Sequence, residues 1–152
     1  MKILILANCT VQDITSAPGF EALTAKYARE SSLDGMPVPV PDLGTYQALE
    51  DQGTLTVCAA MDGEDLVGFM AAQIVFAPQY GATLGMTLAY FVDPEFRPYG
   101  TGARLADAMC TVLDAKGAVG LMIGAPSESR LAKAAGLMGF KETNRLYFRG
   151  FK

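Results

Sequence analysis

"VDPEFRPYGTGARLADAM", Val92 to Met109, joins two regular elements by an unusual route. Before it, Thr87 to Val92 reads as an apolar strand. After it, Gly102 to Lys116 reads as a helix: Leu105, Met109, Val112 and Leu113 form one apolar stripe, and Arg104, Asp107, Thr111 and Asp114 recur on the other side. Gly117 suits the stop, since glycine takes the left-handed conformation without strain. Between strand and helix lie Pro94, Arg97, Pro98, Gly100 and Gly102. The first-turn amides of a helix have no partner inside it, and their dipoles sum to a partial positive charge. Two glycines remove side chains at that point and Arg97 adds a fixed cation, so the segment reads as a seat for an anion, a pyrophosphate above all. The plain alternative is an ordinary strand-to-helix turn.

Other phosphate-binding patterns do not fit. A nucleotide-hydrolysing loop needs a G-x-x-x-x-G-K-[ST] run, which is absent. A dinucleotide fold places its turn after the first strand and needs a third glycine where this chain has Leu105.

Composition narrows the function classes further. The chain has 152 residues, 51% hydrophobic, without repeats or low-complexity blocks, and reads as one domain over residues 1–152. It has no histidine, which excludes a histidine base and a serine–histidine–aspartate triad. Its three cysteines, Cys9, Cys58 and Cys110, are scattered, so no transition-metal ligand set is expected and the thiols read as free in a cytoplasmic protein. Residues 1–92 carry three cations against ten carboxylates, a balance of −7, and residues 93–152 carry nine against six, a balance of +3. No concentrated basic stripe marks a nucleic-acid interface. The uncharged run Leu66–Val92 is interrupted by Gln73, Pro78, Gln79 and Gly81, and reads as strands rather than a membrane span.

Outward from the central stretch, the elements follow from periodicity. Lys2–Ala7 is a first strand, too brief for a secretory signal. Pro18–Ser31 has Phe20, Leu23 and Tyr27 at helical steps, and Pro41–Gln52 reads as a second short helix. Between them, Pro37, Pro39 and Pro41 hold the chain extended, either as a plain connection or as a wall of a substrate cleft. Thr54–Met61 and Glu64–Phe76 flank Asp62-Gly63, the signature of a tight hairpin, and Thr83–Val92 continues the meander beyond a turn at Gly81. Gly120–Ala125 reads as a short buried strand. Ser127 or Ser129 caps a helix ending at Gly139, and Thr143–Phe151 reads as a closing strand. The order is β-α-α-β-β-β-α-β-α-β, an α/β domain around one sheet.

Arg97-Pro98-Tyr99-Gly100-Thr101-Gly102 resembles the acetyl-coenzyme-A loop of the GNAT superfamily of acetyltransferases, [QR]-x-x-G-x-[GA], at every specified position. Val92-Asp93-Pro94 matches the family's preceding V-x-P, and Gly139-Phe140 falls where the family carries a Gly-Phe. The resemblance implies a mixed, mostly antiparallel sheet flanked by helices, whose fourth strand bulges and splays from the fifth. Acetyl-CoA would be the cosubstrate, without a metal. By the same resemblance, Phe91 and Val92 offer main-chain groups to pantetheine. Arg97 and the amides of Tyr99, Gly100, Thr101, Gly102 and Ala103 hold the pyrophosphate, and Arg104 and Lys133 meet the outer phosphates.

The sequence departs from the family where catalysis is concerned. The position of the usual glutamate base holds Met86, and that of the usual tyrosine acid holds Ala135. Tyr90, Glu128 and Tyr147 are the remaining candidates to face the cleft, Tyr90 and Glu128 foremost. The expectation is an N-acetyltransferase acting by direct attack of a primary amine, carried by a small molecule or a protein. That acceptor would enter between the first helices and the central strands, where the acidic half attracts a cation. The alternative is a non-catalytic module of the same fold that binds acyl-CoA, a protein partner or both. A homodimer stays open, and neither nucleic acid nor membrane is an expected partner.

Overall fold

The computed structural model describes residues 2–151. Its elements are β1 (Leu4–Cys9), α1 (Val11–Thr15), α2 (Phe20–Glu30), α3 (Leu43–Asp51), β2 (Leu55–Asp62), β3 (Asp65–Ala77), β4 (Ala82–Val92), α4 (Thr101–Ala115), β5 (Leu121–Met122) and α5 (Arg130–Ala135). A 3-10 turn over Pro94–Tyr99 leads into α4, and another, Gly136–Met138, follows α5. The sheet has five strands in the order β1-β2-β3-β4-β5. The first four are antiparallel neighbours, and β5 lies parallel to β4. The α/β architecture with a mixed, mostly antiparallel sheet is therefore present.

Each face of the sheet buries its own core. On one face, α4 inserts Leu105, Met109 and Leu113 against Ile3, Cys58, Met70 and Val92. On the other, α1 and α2 contribute Val11, Ile14 and Leu23 to a cluster with Val57, Phe69 and Phe91. Along most of the central strands alternate residues serve opposite faces. One extra residue breaks that alternation in β4: Ala71 pairs with Ala89 but Ala72 pairs with Thr87, which leaves Leu88 as a bulge. The bulge turns Ala89 and Phe91 toward α2 and Tyr90 and Val92 toward α4.

Three local features differ from the sequence expectation. Helix α1 is an additional element, nucleated by a capping box in which Thr10 and Asp13 satisfy each other's backbone amides. The Thr10 amide donating to the Asp13 carboxylate, and then the adjacent Thr10 hydroxyl, hold that carboxyl below its ordinary range. The expected strand Gly120–Ala125 contracts to the two residues of β5. The expected closing strand over Thr143–Phe151 forms no ladder. Its alternation is strand-like, but a two-residue β5 offers almost no edge on which to pair. The tail instead lays the Phe148 ring near Gly35 and leaves Tyr147 88% and Phe151 98% exposed. Cys9, Cys58 and Cys110 are unbridged, and no helix among the described residues is long and apolar enough to cross a membrane.

Candidate functional site

The site begins where β4 loses its second neighbour. Strand β5 pairs with β4 only at Gly85 and Met86, supported by amide bonds from Gly85 to Gly120 (2.9 Å) and from Val119 to Thr83 (2.9 Å). Beyond Met86 no described strand continues along that side of β4. Thr87 to Val92 therefore expose a main-chain edge inside the sheet, and the bulge at Leu88 lies where the two strands part.

The free edge runs straight into the glycine loop. Asp93 caps the 3-10 turn by accepting from the Glu95 amide (3.1 Å), and Gly100 ends the turn at φ 71°, the left-handed region glycine tolerates. Helix α4 starts at once. Its first main-chain bond is from Arg104 N–H to the Gly100 carbonyl (3.1 Å), so the amides of Thr101, Gly102 and Ala103 have no acceptor within the helix. A side chain at Gly100 would meet nothing within 4 Å, and the first turn of α4 has no carboxylate. An open mouth, unpaired amides and no competing anion together fit a diphosphate.

A model of the acetyltransferase (GNAT) family matches residues 20–137. The chain belongs to that family. No curated protein matches it. Among solved structures it is similar to a ribosomal-protein-alanine N-acetyltransferase from Brucella melitensis biovar Abortus 2308, at 20% identity and TM-score 0.75, over 100% of this chain and 99% of that one. It is also similar to an aminoglycoside acetyltransferase from an uncultured soil metagenomic sample in complex with sisomicin (18% identity, TM-score 0.72, 99% and 96% covered). AAC(6')-Iy, in complex with the bisubstrate analogue CoA-S-monomethyl-acetylneamine, is similar at 19% identity and TM-score 0.74, with 100% and 99% covered. At these identities the likeness is one of fold.

Within this GNAT chain, the loop side chains divide by what they already hold. Thr101 is fully buried, and its hydroxyl donates to the Phe96 carbonyl (2.9 Å), so only its amide is available to a ligand. Arg97 donates from Nε to the Val92 carbonyl (2.9 Å) and pairs its two terminal nitrogens with the Glu30 carboxylate on α2. Its guanidinium carbon also lies 5.2 Å from the centre of the Phe91 ring. A second tie runs from Lys26 Nζ to the Asp93 carboxylate at 2.6 Å. Burial alone would raise the Asp93 carboxyl. The hydrogen bond from Lys26, the Glu95 amide and the nearby cations outweigh it and hold the group below the usual carboxylate range. Two residues one turn apart on α2 thus clamp the loop from the side away from α4. The Arg97–Glu30 pair was not evident in the sequence, because it joins segments separated by 67 residues. Tyr99, Arg104 and Lys133 are exposed, with Tyr99 beside Gly100 and Lys133 in the last turn of α5.

The two foremost proton-transfer candidates lie in unlike settings. The Tyr90 phenol donates to the Gly102 carbonyl and lies beside the Met138 sulfur (3.8 Å). Burial, then the Asp107 carboxylate, push its pKa up to about 12. A Cβ on Gly102 would come 3.2 Å from that phenol oxygen, so the second glycine accommodates Tyr90 as well as the helix mouth. Glu128 is exposed on a turn at φ 62°, next to Ser129, whose hydroxyl caps α5. Tyr147 is exposed on the tail. The thiols are poor nucleophiles: Cys9 is raised to about 11 by burial, then by Cys58 and Asp13, and Cys110 is raised by burial and Asp107.

On the opposite face lies a cleft of about 340 Å³, floored by Val57, Ala71 and Ala89. Phe20 and Tyr27 of α2, Tyr46 of α3 and the Pro39–Pro41 segment form its walls. The proline-rich stretch is thus a cleft wall. Sequence charge led us to expect an acidic entry here, yet Asp42 is the one carboxylate in the lining, and it caps α3 by accepting from the Thr45 amide (3.1 Å). Phe91, behind the free edge of β4, stacks with Tyr27 and Phe69 at 5.5 Å and 6.3 Å between ring centres. One aromatic cluster therefore joins the cleft to the glycine loop.

Proposed function

We propose that the chain is an acetyl-CoA-dependent N-acetyltransferase acting on a primary amine. The observation that carries this reading is the junction of a free β4 edge with the unpaired amides of α4. Amides of Thr101, Gly102 and Ala103 would hold the diphosphate, the Gly100 amide being taken by the Arg97 carbonyl (3.3 Å). Phe91 and the Val92 amide would offer main-chain groups to pantetheine, and Arg104 and Lys133 would meet the outer phosphates. Arg97 would serve the loop mainly by fixing its shape, since its donors are taken by Val92 and Glu30. Bound acetyl-CoA supplies an activated thioester. The chain's part is to hold an amine beside it, and positioning of this kind supplies several kcal/mol of rate enhancement. With Tyr90 held by Gly102 and Glu128 on an exposed turn, proton removal from the amine falls to solvent.

The test is calorimetric titration with acetyl-CoA, followed by a thiol-release assay across an amine panel. Arg104→Glu places a carboxylate on an exposed first-turn position, where the helix itself tolerates or favours it. Coenzyme affinity should fall by about tenfold or more with the melting temperature maintained. Unchanged affinity would remove the phosphate assignment. A non-catalytic acyl-CoA-binding module is the second reading, favoured by the occupied Tyr90 phenol, and binding without thiol release from any amine would establish it.

A further inference from the structure

The cleft that faces α2 has a chemistry of its own, and we infer from it that the acceptor is a monoamine with an apolar, ring-sized body rather than a polycation. The inference rests on the acetyltransferase reading above. The space arises from one row of the sheet. Val57, Ala71 and Ala89 stand side by side on β2, β3 and β4, and two of the three are alanines. The next row, Ala59, Phe69 and Phe91, is aromatic on β3 and β4, and it ends the cavity with the Phe69 ring, behind which Phe91 packs. The small side chains leave about 340 Å³ open, within the usual range for a small-molecule pocket.

The polar groups of that lining are few, and three are already in use. The Thr15 hydroxyl donates to the Gln12 carbonyl (3.4 Å) and the Thr24 hydroxyl to the Glu21 carbonyl (3.0 Å). Asp42 caps α3. The two phenols, Tyr27 and Tyr46, are pushed up by burial and stay neutral. One ammonium has a carboxylate to approach, in Asp42. A second would enter an apolar space unpaired, which is strongly unfavourable. A ring or branched alkyl body gains instead from contact with Phe20, Phe69 and the two tyrosines. The floor also reaches the reacting strand, since Ala89 directly follows the bulge at Leu88, where the free edge of β4 begins. An amine whose body fills the cleft therefore sits beside the strand that would carry the thioester.

The experiment titrates the full chain with 2-phenylethylamine and with spermidine, with and without coenzyme A, and repeats both with Ala71→Leu. 2-Phenylethylamine should bind about ten- to hundredfold more tightly than spermidine, as burial of one apolar body implies. Ala71→Leu fills the floor and should remove that preference while leaving coenzyme binding unchanged. Val40→Asp, on a wall residue 78% exposed, keeps the core intact and should shift the preference toward spermidine, so the inference stays testable if the leucine variant does not fold. Equal or tighter spermidine binding by the unaltered chain overturns it, as does 2-phenylethylamine binding that neither variant changes. A chain that binds no acetyl-CoA overturns the transferase reading instead, and the amine titrations are unaffected by that result.

Discussion

The two faces of the sheet are finished differently. Against α4 the packing over the central strands is closed: Met70, Leu105 and Met109 are fully buried, and a methyl added at Gly85 would run into the side chain of Leu113. A cleft on this side lies out at the β5 margin, between Cys110, Leu113, Val119 and Leu121. Against α1, α2 and α3 the middle of the sheet is paved with alanines and left open by about 340 Å³. The closed face carries the helix whose amino end forms the glycine loop. The open face carries the cleft. A ligand held by main-chain amides needs those amides fixed, and a dense core beneath the helix fixes them. A ligand held by shape needs volume, which small residues leave at the cost of contacts.

Substitutions can break this contrast in graded steps. Leu105→Ala removes a fully buried side chain from the closed face and should cost about 2–5 kcal/mol in chemical denaturation. Gly85→Ala adds one methyl to the same face, well inside contact distance of a Leu113 methyl, and should cost about 1–3 kcal/mol by overpacking. The larger addition in Ala71→Leu, on the open face, should be neutral or stabilising by the same measurement. If both additions cost alike, the faces do not differ as described.

Tyr90→Phe sharpens the assignment of that phenol. Removing its bond to the Gly102 carbonyl should cost about 1 kcal/mol of stability and leave the pH profile of turnover unchanged. Loss of a basic limb in that profile would instead mark Tyr90 as the acid. The smallest effect concerns the clamp between α2 and the loop. Asp93 titrates below its unfolded value, so its contribution is present above about pH 4 and is lost as pH falls through its folded pKa. Lys26→Met should cost no more than about 1 kcal/mol at neutral pH and make the acid limb of the stability curve shallower. An acid limb identical to that of the unaltered chain would show that the Lys26–Asp93 pair contributes nothing.

Much of this was legible in local sequence. The Asp62-Gly63 hairpin, the stripe of α4, a serine cap at Ser127 or Ser129 (Ser129 in the structure) and a helix end at Gly139 all act within one turn or one hairpin, where neighbouring residues dictate backbone geometry. The capping box at Thr10 and Asp13 was equally local, and it was the available signal for α1. Strand-like alternation at Thr143–Phe151 did not become a strand, because a ladder needs a partner edge and alternation says nothing about one.

What the sequence alone determined is the order of elements from α2 through α5 and the glycine-bearing entry to α4, because periodicity, turn chemistry and side-chain absence are properties of adjacent residues. Only the tertiary structure decided that Arg97 is held by Glu30, that Tyr90 is spent on Gly102, and that Ala71 and Ala89 share a row under an apolar cleft. Those facts depend on pairing register and on contacts between distant segments, and a one-residue bulge at Leu88 is enough to choose the face on which each side chain of β4 ends.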